Sequence, residues 1–364
     1  MRPRPSGPRL GFFGLRAYAV GGNILPRRRN TPVFAGTSAV HAARKRKMHL
    51  PDGFLDAKTA ALAAGAAAVG VGVALRRVRA TLEPRQTPML GLGGAFVFAA
   101  QMLNFPVAGG TSGHLLGGVL LAILLGPSAA ILVMTCVLMV QCLMFADGGL
   151  LALGANVFNM GIVNVCAGYF VFQAIRRSSR MEQKRTTVLA AAFAGWFGVV
   201  MASITCAGQL ALSGTVPWAV AFPAMADVHM VIGIGEGLVT ALVTLAVLRT
   251  RPKLVAGVRD RVVGRNLIGY GLVASLGLAL FVAPVACRWP DGLESVASRF
   301  GFANKVAPPV FNSLLGEGKL SFLGSAGATA IGGAIGTVLA FIAAYFLARL
   351  LVPVLGPKEE DAAS

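Results

Sequence analysis

The chain has 364 residues, of which 55% are hydrophobic and only 13% charged, with a formal net charge of +19. Soluble domains carry about a quarter charged residues, so this composition excludes an ordinary soluble domain and points to a membrane protein. The basic excess would suggest nucleic acid in a soluble chain, but eleven of the 33 Lys and Arg residues precede Met48 and most others fall in three short loops, which read as cytoplasmic anchors.

Residues 1–47 are Arg-rich, contain five prolines and no acid, and end in Arg44-Lys45-Arg46-Lys47. Such a tail opposes the charge bias of the other loops if it lies on the outer side. The expectation is a start codon assigned too early, with Met48 the initiator. A removed targeting segment and a cytoplasmic tail with inverted first-helix topology stand beside it.

Nine apolar runs follow, at roughly 57–75, 88–107, 114–126, 127–145, 150–175, 186–213, 219–248, 266–287 and 324–351. An α-helix of about 20 apolar residues crosses the hydrocarbon core with its backbone polar groups satisfied internally, so the fold class is an all-α polytopic membrane bundle. The third run is short and is separated from the fourth only by Gly126-Pro127, so it reads either as a crossing or as a partly inserted helix. Fifteen Lys and Arg residues in the loops at 76–85, 176–185 and 249–265 face four on the other side, Arg288, Arg299, Lys305 and Lys319. The richer side is then cytoplasmic, and Met48 with the loops near 108–113, 146–149 and 214–218 is outside. The Gly- and Ala-rich spans allow close helix packing, internally or against another membrane subunit.

Candidate chemistry is sparse. A free amine at Met48 followed by His49 supplies three nitrogens in one plane: the α-amine, the deprotonated peptide nitrogen and the imidazole. That array suits Ni2+ or Cu2+ and needs a fourth ligand. Of the four histidines, His41 lies in the extension, while His114 and His229 remain as partners for His49. His114 stands in a Gly-rich stretch on the same side as Met48, where the backbone can fold back to a buried site. His229 and Glu236 are seven residues apart, hence on one helix face; they read as groups orienting a ligating imidazole, as polar contacts in the bundle, or as ligands. Asp52, Gln101, Asn104, Asn156 and Asn159 are weaker candidates for the orienting role. Cys136, Cys142, Cys166, Cys206 and Cys287 form no zinc pattern and read as small buried hydrophobes. Met134, Met139 and Met144 read as packing. Gly316-Glu-Gly-Lys319 lacks the spacing and the Ser or Thr of a phosphate loop, and no nucleophile-base constellation suggests an enzyme.

Four stretches carry a resemblance: Met48-His-Leu-Pro-Asp-Gly-Phe-Leu55, Gln101 to Gly118, Asp147 to Met160, and His229-Met-Val-Ile-Gly-Ile-Gly-Glu-Gly237. Together they resemble the CbiM/NikM substrate-binding membrane subunits of energy-coupling factor transporters for cobalt and nickel. The resemblance implies about seven transmembrane helices in a metal-binding domain at 48–250 and metal ligation by the amine of Met48, the amide and imidazole nitrogens of His49, and His114. It also implies an inner-membrane location, with a CbiQ/NikQ-like transmembrane coupling subunit and CbiO/NikO-like cytoplasmic ATPases as partners. No resident cofactor is expected; Ni2+ or Co2+ is the cargo, feeding cobalamin synthesis or a nickel enzyme. Past a basic linker at 251–265, Trp289-Pro-Asp-Gly-Leu-Glu-Ser295 resembles the PDGLE-type accessory component, here fused at 266–352 with two further helices and followed by a cytoplasmic tail at 353–364. The fusion favours nickel over cobalt, and the motif's acids read as external loop structure. A passive metal channel and a membrane assembly protein are the alternatives.

Overall fold

The computed structural model describes residues 48–252, 255, 265–308, 310, 313–315 and 319–352. The extension at 1–47, most of the basic linker and the tail at 353–364 lie outside them, as does most of the Gly316-Glu-Gly-Lys319 stretch. Helices dominate because the apolar runs are rich in Ala, Leu and Gly, and only a helix or a closed barrel satisfies the backbone in lipid.

The helices are α1 (Ala57–Thr81), α2 (Thr87–Gln101), α3 (Gly118–Leu125), α4 (Pro127–Phe145), α5 (Leu153–Ser178), α6 (Gln183–Leu212), α7 (Trp218–Thr250), α8 (Asn266–Val285), α9 (Gly292–Arg299) and α10 (Gly324–Leu351). Asp56 caps α1 by accepting the Thr59 N–H, Pro127 opens α4 where a missing N–H costs nothing, and Ala146 in the left-handed region closes it. Seven described helices, namely α1, α4 to α8 and α10, have the length and apolarity to cross a membrane. Their outward faces carry exposed apolar side chains such as Leu62, Val69, Phe170, Leu189, Leu238 and Phe346, as a lipid-facing surface requires.

The runs at 88–107 and 114–126 behave differently. α2 has 15 residues and rises about 22 Å, and α3 has eight, so neither matches the roughly 30 Å hydrocarbon thickness. Between them the chain forms a two-stranded antiparallel hairpin, β1 (Phe105–Val107) and β2 (Thr111–Gly113), which pairs Phe105 with Gly113. The second strand is buried against the bundle, while the turn at Ala108–Gly110 is exposed. α2 lies inside the bundle, with Ala95, Val97 and Ala99 fully buried, and packs on α10, where Gly94 lets the two backbones approach. The C-terminal helices are thus built into the core alongside α2.

Within α5 the Val157–Val163 segment is a π-helix. Such turns occur often at functional sites, because the extra residue reorients side chains on one face. This one carries Asn159 and Met160.

Candidate metal centre

Met48 to Leu50 and Asp147 to Ala152 lie side by side although about 100 residues separate them. Met48 N donates to Asp147 Oδ1 at 2.8 Å, Gly149 N to Leu50 O at 2.9 Å, and Leu50 N to Asn156 Oδ1 at 3.0 Å. Asn156 Nδ2 returns the bond to Leu50 O at 3.1 Å. The buried Asp52 carboxylate collects the N–H groups of Leu150, Leu151 and Ala152 at 2.9 to 3.1 Å, the orphan donors ahead of α5. Gly148 and Gly149 permit this closeness. A Cβ at Gly149 would lie 2.0 Å from Asp52 Oδ1, and Gly148 has φ +90° with the His49 side chain against it.

His49 is 3% exposed, and its Nδ1 lies 3.2 Å from Asp147 Oδ2 as an ion-pair contact without an aligned hydrogen bond. The Met48 nitrogen and His49 Nδ1 therefore converge on one carboxylate. These are the two outer nitrogens that a chelate through the intervening peptide nitrogen would use. Burial, the largest single effect, acts to lower the His49 pKa, but the charge and close contact of Asp147 together with the charge of Asp291 outweigh it and hold the imidazole above its ordinary range. Burial, the largest single effect, acts to raise the Asp147 carboxyl, but the charge and contact of His49, the Met48 N–H and the charge of His114 together hold it below its usual range.

The His114 ring lies 5.8 Å from that of His49, centroid to centroid, at 65°. His114 Nδ1 sits 3.1 Å from Leu115 O, which assigns the proton to Nδ1 and leaves Nε2 as the lone-pair nitrogen. Burial, followed by repulsion from His49, lowers its pKa, so the ring stays neutral and able to ligate. The segment after it is fixed by buried groups: Glu236 accepts the N–H of Leu116 at 2.6 Å and of Gly117 at 2.9 Å, and Gln101 Nε2 donates to Leu116 O at 2.8 Å.

The two imidazoles border a cavity of about 80 Å³, also lined by Met48, Asn159, Cys206, His229 and Leu293. Asn159 pairs reciprocally with Gln209 at 2.8 and 3.0 Å, and His229 Nδ1 lies 2.8 Å from Met225 O. Asn104 stands apart, with Nδ2 3.4 Å from Ser112 Oγ and its carbonyl accepting Cys287 N–H at 2.8 Å. Met48, His49 and His114 thus come together. Of the seven candidates for an orienting role, none hydrogen-bonds an imidazole; Asp52, Asn156, Gln101 and Glu236 instead clamp the main chain that carries His49 and His114.

The group that does face His49 is Asp147, which residue-by-residue reading passed over. Its signal was available: it is an acid on the same side as Met48, opening a Gly-Gly turn ahead of an apolar run. Cys206 lines the cavity, and Cys166 is exposed rather than buried because it sits on an outward face of α5. Among the described residues no three His, Cys, Asp or Glu side chains form a metal-holding cluster.

One acid of the C-terminal motif, Asp291, is not in an open external loop but buried at the start of a helix. Asp291 is 5% exposed and caps α9 by accepting Glu294 N–H at 2.7 Å, and burial pushes its carboxyl up to about 8.

Residues 49–254 match the sequence model of the cobalt uptake substrate-specific transmembrane region. A protein of Archaeoglobus fulgidus carrying the name of a fused nickel transport protein is 36% identical over 83% of this chain and 98% of its own length. A cobalt transport protein of Geobacter sulfurreducens is 31% identical over 84% of this chain and 90% of its own. A crystal structure titled as a transition metal transporter superposes with a TM-score of 0.51 at 31% identity, covering 62% of this chain and 99% of that one.

Proposed function

Because the chain belongs to the family of cobalt-uptake substrate-specific transmembrane proteins, whose sequence model spans over half its length, we propose that it is the cargo-capturing subunit of an ATP-driven importer for Ni2+ or Co2+. It is a multi-pass membrane protein of metal uptake. The finer reading places capture at Met48, His49 and His114, on the outer face of the inner membrane.

The observation that carries it is the convergence of Met48 N and His49 Nδ1 on Asp147, with the His114 ring 5.8 Å from that of His49 beside a shared cavity. Nitrogen donors suit both metals, and a planar chelate that includes a deprotonated amide favours the square-planar preference of Ni2+. The family name mentions cobalt and the Archaeoglobus relative's name mentions nickel, while the fused C-terminal part inclines the reading to nickel. Asp147 supplies the countercharge for the cation and aligns the two outer nitrogens; Glu236 and Gln101 hold the His114 segment at the right distance. ATP hydrolysis falls to separate cytoplasmic subunits acting through a transmembrane coupling subunit, with 48–250 as the capture domain and 266–352 as a fused accessory part.

Titration of Ni2+ into protein beginning at Met48 tests the site. His49→Ala and His114→Ala are each expected to weaken binding by at least about 100-fold, since each removes a ligand outright. Unchanged affinity in both would overturn the assignment. Uptake that proceeds without the ATPase subunits would replace the importer with a channel.

A further inference from the structure

The Trp289–Ser295 stretch belongs to the C-terminal part, yet it is seated on the chamber. Leu293 lines the cavity beside His49, His114 and Cys206. Gly292, the first residue of α9, meets His229 so closely that a Cβ there would lie 2.8 Å from His229 Cε1 and from Ile232 Cδ1. Ile232 is pressed equally hard from the opposite side, since a Cβ at Gly113 would fall 2.7 Å from its Cγ2. The hairpin that leads to His114 and the start of α9 therefore both rest, through a bare glycine, on the Ile232 side chain of α7.

Polar groups seal the same seam. Ser112 N donates to Pro290 O at 2.8 Å, Ser112 Oγ to Trp289 O at 2.8 Å, and Thr111 Oγ1 shares a bond with Ser295 Oγ at 2.8 Å. Farther along, Ala307 N donates to Asp52 O at 2.8 Å, and Phe302 packs edge-on against Phe54. The C-terminal part thereby grips both ligand-bearing segments, the one through Ser112 and the other through Asp52.

We infer that the Asp291-Gly292-Leu293 turn is a wall of the cargo chamber, and that the fused C-terminal part controls access to the cavity between His49 and His114. A side chain at position 292 would displace His229 and tilt α9 away, and loss of the Leu293 side chain would open the wall directly. This inference rests on the cavity being the cargo site.

Cys206 offers a reporter that does not require metal binding, because a cavity of about 80 Å³ is too small for a maleimide while the wall is in place. The full chain, purified in detergent, is treated with N-ethylmaleimide, and labelling of Cys206 and of exposed Cys166 is followed by peptide mass spectrometry. In the native chain Cys206 reacts far more slowly than Cys166. Gly292→Val and Leu293→Ala each raise the Cys206 rate by about tenfold or more and leave Cys166 unchanged. Native Cys206 labelling as fast as Cys166, or rates unchanged in both variants, would overturn the wall. If one variant does not elute as folded protein, the other decides. In Leu293→Ala protein beginning at Met48, added Ni2+ is expected to slow Cys206 labelling; absence of that protection alongside faster labelling in the variants would keep the wall and remove the metal from the cavity.

Discussion

The two segments that carry the imidazoles are held in different ways. His49 sits in a strip tied to a neighbouring loop by carboxylates near the end of the bundle, Asp147 and Asp52, whose contacts are part-buried apart from the one to Ala152. His114 sits at the end of a hairpin whose continuation is bonded by Glu236 and Gln101, both wholly buried and both on helices. The first arrangement adjusts charge beside a ligand. The second fixes position from within the core, where an unpartnered N–H has no water to turn to.

Glu236→Ala probes the deeper anchor and is expected to have the largest effect. It leaves the Leu116 and Gly117 N–H groups unpartnered and should cost about 3 kcal/mol, read as a lower midpoint of thermal unfolding in detergent. Glu236→Gln keeps one acceptor oxygen and should recover part of that loss. An unchanged midpoint in both would mean that the His114 segment is held by something other than α7.

Asp147→Asn probes the shallower anchor by removing charge with little change of shape. Ni2+ affinity at neutral pH should fall by about 10- to 100-fold, the usual consequence of losing a carboxylate that supports a ligating imidazole. The pH profile gives a second readout. The His49 pKa is raised by Asp147, so protons compete with metal up to a higher pH in the native protein, and the midpoint of binding against pH should move down in the variant. The signs for stability agree. In metal-free protein, the contribution from raised His49 is complete below about 6.5 and fades as pH rises through its folded value; that from lowered Asp147 holds above about 3.8 and fades as pH falls through its folded value. The ion pair therefore contributes most between those limits, and a variant profile identical to the native one would detach Asp147 from His49.

Asp52→Ala should have the smallest effect, about 1 to 2 kcal/mol of stability, because two of its three contacts are part-buried and water can replace it there. Ni2+ affinity within a few-fold of native, by the same titration, would agree with a role confined to the loop. A loss as large as that of Asp147→Asn would erase the distinction between adjusting charge and holding backbone.

Much of this arrangement was legible in one dimension, and the parts that were not share a cause. The spans from α4 onward stand out because about 20 apolar residues in sequence is itself the physical requirement for crossing lipid. The run at 114–126 was already legible as short, but α2 was read as too long, since apolar composition cannot distinguish a helix facing lipid from one buried among helices, and the hairpin of Phe105–Gly113 has too few residues to show alternation. Met48, His49 and His114 could be named as candidates from their chemistry and from the topology that the charge bias predicts. Asp147 and Glu236 could be seen only as polar residues, because what they do depends on partners 99 and 120 positions away.

By itself the sequence determined that this chain is a helical membrane protein, since hydropathy and charge are properties of the residues. Tertiary structure decided which donors meet, which acids lie beside them, and that Leu293 from the C-terminal part lines the same cavity. Those outcomes depend on helices packing closely enough for a bare Gly292 to rest on His229, a distance that no local pattern encodes.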